Sequence, residues 1–103
     1  MPTSDELYDQ AMGLRNEGKH EDAVKLLREI IGQEETHALA HAALAKLLTD
    51  LQQHEDAVRH AVRVTELEPN DPFSFTALSV TYQRAGFIPE AEEAMARARM
   101  MGQ

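Results

Sequence analysis

Apolar residues recur along this chain every three or four positions, in six stretches that short polar turns separate. Such spacing places the apolar side chains on one face of an α-helix. The pattern predicts helices at about residues 3–17, 20–31, 36–50, 54–67, 71–84 and 89–101. These helices leave no segment for a strand, so the predicted fold class is all-α.

Capping residues support several of these boundaries. Thr3 and Glu6 have the spacing of a capping box at the start of the first helix. Asp71 followed by Pro72 predicts a cap and a first helical turn that needs no donor. Glycines predict the helix ends, at Gly18, Gly32 and Gly86.

One five-residue segment is repeated. His-Glu-Asp-Ala-Val occurs at 20–24 and again at 54–58, which is 34 positions later. A further 34 positions lead to 88–92, where an acidic residue and the alanine are kept, so three alanines (Ala23, Ala57 and Ala91) share this spacing. A fixed period of this length is that of one helix-turn-helix repeat.

These features resemble the tetratricopeptide repeat family, with residues 1–103 forming one domain. The repeats would span about 4–37, 38–71 and 72–103. The third repeat follows the family pattern of large and small packing residues closely, with Phe75, Leu78, Ser79, Tyr82, Gly86, Ala91, Met95 and Ala98. The second departs from it at His41 and the first at Gln10. The resemblance implies an α-solenoid of six antiparallel helices in a right-handed superhelix.

In the family, the first helix of each repeat lines the inner groove of the superhelix. The matching positions here are mostly apolar and predict a partner-binding groove. Its residues are Tyr8, Met12, Leu39, Lys46, Phe73, Ala77, Val80 and Arg84. A strip of this kind suits an extended peptide or an amphipathic helix. The alternative is that some of these side chains, Phe73 above all, turn inward and only pack.

One subgroup of the family binds the carboxylate tails of chaperones with basic and asparagine residues. The five matching positions here are Tyr8, Met12, Ala43, Phe73 and Ala77. None of them is basic or asparagine, so binding of a chaperone tail is disfavoured.

Charge and composition exclude several classes of function. The chain has 18 acidic and 10 basic residues, and its formal net charge of −8 disfavours nucleic acid and anionic membranes as partners. No apolar run reaches the length of a membrane span, and the first residues do not have the pattern of a signal peptide. The chain has no cysteine, which excludes disulfides and thiolate chemistry, and we expect a cytoplasmic location.

Histidines and carboxylates are the remaining candidates for chemistry. His37 and His41 are four positions apart on one helix, a spacing at which two imidazoles can bind a metal. We interpret them instead as one histidine at a helix start and one in a packing seam. The acidic clusters fall in first turns of helices, where they stabilise the helix dipole. No phosphate-binding loop or nucleophile motif is present, so we predict no metal, no cofactor and no enzymatic activity.

The last helix suggests a second hypothesis. Arrays of this kind commonly end in an extra solvating helix, and only Gly102 and Gln103 follow the sixth helix. The chain would then be part of a longer protein, tolerate an uncovered face, or pair with another copy through Met95, Met100 and Met101.

The predicted function is a non-enzymatic protein–protein interaction module, an adaptor or scaffold that binds a peptide or partner helix in its groove. The alternative is a self-associating structural unit that forms a homodimer or a larger oligomer through the last helix.

Overall fold

The computed structural model describes residues 1–102, and the chain forms six α-helices within them. They are α1 Ser4–Asn16, α2 His20–Gln33, α3 Ala38–Asp50, α4 His54–Leu67, α5 Pro72–Ala85 and α6 Ile88–Met101. No strand occurs between residues 1 and 102, so the all-α prediction is confirmed. Gln103, the predicted last residue of the third repeat, lies outside the described residues.

The helices form three hairpins that stack side by side. α1 packs on α2, α3 on α4 and α5 on α6, while α2–α3 and α4–α5 contacts join one hairpin to the next. α3 also packs against α5, whereas α4 and α6 share no comparable contact. α3 and α5 therefore approach each other on the inner side of the array, which measures 42 × 26 × 20 Å.

The three alanines spaced by 34 positions lie where paired helices come closest. Ala23, Ala57 and Ala91 are completely buried. A larger side chain at each position would hold the two helices apart. Large apolar side chains fill the remaining space between the first two hairpins. The fully buried ones are Leu27, Ile30, Leu44, Leu47 and Leu48.

Two predicted caps are confirmed. The Thr3 hydroxyl accepts a hydrogen bond from the Glu6 backbone N–H at 3.2 Å, and the Thr3 N–H donates to the Glu6 carboxylate at 3.2 Å. The Asp71 carboxylate accepts from the Phe73 N–H at 3.0 Å, and Pro72 is the first residue of α5. Side chains thus satisfy donors that the first turns of α1 and α5 leave without helical partners.

Two predicted boundaries of the second and third helices are wrong. Gly32 does not end α2, because it keeps a helical conformation rather than the positive φ of a glycine cap, and the helix continues to Gln33. α3 begins at Ala38 rather than at about Thr36. The cause is His37, whose Nδ1 accepts a hydrogen bond from the Ala40 N–H at 3.0 Å and caps the helix there.

The last helix begins one residue before the predicted Pro89. Ile88 is the first residue of α6, and Pro89 lies in its first turn, where the missing N–H costs no hydrogen bond. None of the helices within residues 1–102 combines the length and the apolar character needed to cross a bilayer.

Candidate protein-interaction groove

A cavity of about 320 Å³ opens between α3 and α5 on the inner side of the array, with α4 beneath it. Small side chains on the facing helices leave this space unfilled. The lining residues are Ala42, Ala45, Lys46, Thr49, Asp50, Ala61, Val64, Ser74, Ala77, Val80, Thr81 and Arg84. Its walls are mainly apolar, and its charged groups belong to three of these residues.

Four of the eight predicted groove residues line this cavity: Lys46, Ala77, Val80 and Arg84. Leu39 and Phe73 lie outside its lining, near the N-terminal ends of α3 and α5, and their side chains are 61% and 79% exposed. The alternative in which Phe73 turns inward is therefore wrong. Phe73 follows the cap of α5, and at the second helical position its ring lies in solvent.

The structure does not bring the two groove candidates on α1 to the cavity. Tyr8 and Met12 are half-buried and pack against the core between the first two hairpins. The Tyr8 ring also stacks on the His37 ring, with 5.8 Å between centroids. Both residues are therefore engaged in packing.

Sequence reasoning missed the floor of the cavity. Ala61 and Val64 belong to α4, the second helix of its repeat, whereas the predicted groove used only first helices. Thr49 and Thr81 were also missed as a pair; their hydroxyls donate to the backbone carbonyls of Ala45 and Ala77 at 2.8 and 3.0 Å. Their 32-residue separation gives no sign in the sequence that they face one cavity.

A histidine pair lies outside the cavity, between α3 and α4. His41 is 3% exposed, and its Nδ1 lies 3.0 Å from Nδ1 of the half-buried His60. His41 Nε2 lies 2.7 Å from the backbone oxygen of Glu35. Because a carbonyl oxygen only accepts, Nε2 of His41 donates to it, and Nδ1 of His41 shares a hydrogen bond with Nδ1 of His60. This places His37 at a helix start and His41 in a seam, as interpreted from the sequence.

His60 is the partner that the sequence analysis did not identify. The available signal was His41 itself, because a polar residue at an apolar family position needs a polar neighbour when buried. Burial, and after it the nearby charges of His41, Arg28 and Arg59, lower the pKa of His60 from 6.5 to about 4. Within residues 1–102, no group of three or more potential ligands converges to hold a metal ion.

Ion pairs join the first hairpin to the second beside these histidines. Nε and Nη2 of Arg63 donate to the two carboxylate oxygens of Glu35 at 2.8 and 2.7 Å, which ties the α2–α3 loop to α4. The hydrogen bond from Arg63 lowers the pKa of the Glu35 carboxyl. Nη2 of Arg28 on α2 lies 3.5 Å from the Asp56 carboxylate on α4. This network is structural and lies apart from the cavity.

The self-association candidates lie on α6 with different exposure. Met100 is 75% exposed, whereas Met95 and Met101 are half-buried. Of the three, Met100 is the side chain most available to another molecule.

Stacked helical hairpins with an open inner groove define an α-helical repeat protein of the interaction class. The model for "Tetratricopeptide repeat" matches residues 14–79. The chain belongs to the tetratricopeptide repeat family, which confirms the predicted resemblance. No curated protein sequence matches the chain.

Three solved structures illustrate the likeness in fold. A crystal structure of MamA has a TM-score of 0.89 and 15% identity, and the match covers 97% of this chain and 58% of that one. The Yersinia enterocolitica type III secretion translocator chaperone SycD, as an alternative dimer, has a TM-score of 0.85 and 18% identity. That match covers 95% of this chain and 74% of SycD. The second TPR of Spaghetti (RPAP3), bound to the HSP90 peptide SRMEEVD, has a TM-score of 0.85 and 20% identity. That match covers 96% of this chain and 92% of the other. The chain thus spans a little over half the length of MamA.

Proposed function

We propose that this chain is a non-enzymatic adaptor or scaffold that binds a peptide or partner helix in the groove between α3 and α5. The observation that carries the proposal is the apolar cavity of about 320 Å³ between α3 and α5, which opens beside the exposed side chains of Leu39 and Phe73. Concave apolar sites and contiguous exposed apolar side chains are typical of binding surfaces.

The family supports a protein partner, because tetratricopeptide repeats are a protein-interaction fold. The RPAP3 domain holds an acidic HSP90 peptide. In this chain, Tyr8, Met12, Ala43, Phe73 and Ala77 occupy the positions of the carboxylate clamp. We therefore propose contacts to the partner that differ from those of the carboxylate clamp. A cytoplasmic location is also part of the proposal.

Filling the cavity tests this function. A display library of random 12-residue peptides is panned against the parent chain and against Ala77→Trp, whose new ring would occupy the cavity. Ala77 is exposed on α5, so the variant is expected to fold, which circular dichroism checks. Ala96→Trp, on an exposed position of α6, is the matched control.

The parent and Ala96→Trp should enrich the same peptides, and Ala77→Trp should lose them. Peptides retained equally by Ala77→Trp would show that they bind another surface and would overturn the groove function.

One observation favours the second candidate, self-association through α6. Met100 is exposed near the end of this helix, and Phe87 and Ile88 are exposed at its start. Light scattering across a wide concentration range tests it with Met100→Glu. A mass that rises above 11.5 kDa for the parent and not for the variant would support a self-associating unit. A mass near 11.5 kDa at every concentration for the parent would exclude it.

A further inference from the structure

We propose that the partner is an acidic amphipathic segment that binds in one orientation, with a large apolar side chain in the α3–α5 cavity and carboxylates paired with Lys46 and Arg84. This inference rests on the groove function proposed above and names the chemistry of its ligand.

The charges at the cavity differ in sign from the chain as a whole. The formal net charge of the chain is −8. The cavity lining contains two basic residues, Lys46 and Arg84, and one acidic residue, Asp50, which leaves a net charge of +1. At physiological ionic strength the Debye length is about 8 Å, so a bound segment responds mainly to these nearby charges.

These two basic side chains have no ionic partner within residues 1–102. Of the other basic side chains, four pair with carboxylates: Lys19 with Glu17, Arg28 and Arg59 with Asp56, and Arg63 with Glu35 and Glu66. Within residues 1–102, Arg15, Lys25, Arg97 and Arg99 make no such pair, but none of them lines the cavity. Lys46 and Arg84 are the basic residues of the cavity lining, and no carboxylate of the described chain lies within 4.0 Å of either. In a chain with an excess of carboxylates, this leaves two cations available to an external anion.

The groove has a direction. α3 and α5 are the first helices of successive repeats, so they run the same way. Leu39 and Phe73 lie at the second position of each, whereas Lys46 and Arg84 lie two and three turns further along, about 10 and 16 Å at 1.5 Å per residue. Leu39 and Phe73 therefore stand at one end of the groove. The charged lining residues Lys46, Asp50 and Arg84 stand towards the other end, with a net charge of +1. This difference favours one orientation of an amphipathic segment.

The cavity suits an apolar side chain as the anchor. Its volume of about 320 Å³ lies at the small end of ligand cavities, which span about 300–1,000 Å³. Ala42, Ala45 and Ala77 contribute walls without polar side-chain atoms. A leucine or aromatic ring can enter such a space without leaving a buried polar group unpaired, whereas a lysine or arginine would meet Lys46 and Arg84.

Arg84 also has a role within the fold. It lies in the last turn of α5, where a positive charge stabilises the helix dipole. Its substitution is expected to lower stability slightly, so a control with the same change of charge is required.

The test is the panning experiment above, repeated with Lys46→Glu/Arg84→Glu and with Lys25→Glu/Arg99→Glu as the control. Lys25 and Arg99 are exposed on α2 and α6, away from the cavity lining. The parent and the control should enrich peptides that place Asp or Glu beside Leu or an aromatic residue. For one such peptide, fluorescence anisotropy at 0.15 M salt should give a Kd about tenfold higher for the cavity variant than for the control.

The outcomes separate the two proposals. The acidic partner is overturned if the enriched peptides are basic or lack acidic residues. It is also overturned if they bind Lys46→Glu/Arg84→Glu as tightly as they bind the control. If Ala77→Trp still abolishes their binding, the groove function stands. Both proposals are overturned if Ala77→Trp leaves peptide binding unchanged, or if the folded parent enriches no peptide.

Discussion

Nδ1 of His41 lies 3.0 Å from Nδ1 of His60, and this hydrogen bond between two imidazole rings joins α3 to α4. The other ring nitrogen of His41 donates to the backbone carbonyl of Glu35 at 2.7 Å. A positive charge on His60 is disfavoured by burial and by His41, Arg28 and Arg59, which together lower its pKa to about 4. The second repeat thus contains a polar seam where the family packs an apolar residue.

The free energy of unfolding should decrease on mild acidification. Because the pKa of His60 is about 4 in the folded chain and 6.5 for an imidazole in water, the unfolded chain binds more protons between these values. The stability that depends on neutral His60 is therefore fully present above pH 6.5 and is lost as pH falls towards 4. In urea titrations, His60 should make the free energy of unfolding about 1–3 kcal/mol lower at pH 4.5 than at pH 7.5.

A pair of variants isolates this contribution. His60→Gln should be less stable at pH 7.5, because Nδ1 of His41 loses the ring nitrogen with which it shares a hydrogen bond, and should lose less stability on acidification than the parent. His20→Gln, at the start of α2, should keep the dependence of the parent. An unchanged pH dependence in His60→Gln would assign the acid sensitivity to other groups.

Replacing Gln52 with glycine should stabilise the chain. Gln52 has a φ of +62°, in the left-handed region, and lies 34 positions from both Gly18 and Gly86, whose φ values are +81° and +89°. The turn after each first helix therefore uses the same backbone conformation, which is unfavourable for a residue with a Cβ. Gln52→Gly should raise the free energy of unfolding by about 0.5–1 kcal/mol in urea titrations.

The neighbouring residue supplies the control for that change. Gln53 has a φ of −95°, so Gln53→Gly gains nothing in the folded chain and makes the unfolded chain more flexible. It should leave stability unchanged or lower it. Equal effects of the two glycines would mean that the positive φ of Gln52 is not strained.

The sequence predicted what local spacing and short-range caps determine. The three alanines, the capping box at Thr3 and the Asp71 cap all depend on residues close in the chain or on the period of 34. The floor of the cavity at Ala61 and the partner of His41 depend on distances between helices, which no local pattern contains. The left-handed turn at Gln52 was hidden for another reason, because the residue that signals it, glycine, is absent there.

Enlarging a buried alanine should destabilise the chain strongly. Ala57 is completely buried between α3 and α4, so a leucine there must push the helices apart or adopt a strained rotamer. Ala57→Leu should lower the free energy of unfolding by about 1–3 kcal/mol. Ala96→Leu, at an exposed position of α6, should change it by less than about 0.5 kcal/mol. A tolerated leucine at position 57 would show that the helix pair can widen without cost.

Truncating two phenylalanines on α5 should lower the stability of the chain by very different amounts. Phe75 is 8% exposed, and the guanidinium carbon of Arg97 lies 5.1 Å from its ring centroid, whereas Phe73 is 79% exposed. Phe75→Ala removes a buried ring and should cost about 3–5 kcal/mol in urea unfolding. Phe73→Ala removes a ring that is already in water and should cost less than about 0.5 kcal/mol. If the two variants lost similar stability, Phe73 would be a packing residue in solution, and its ring could not serve as part of an open binding groove.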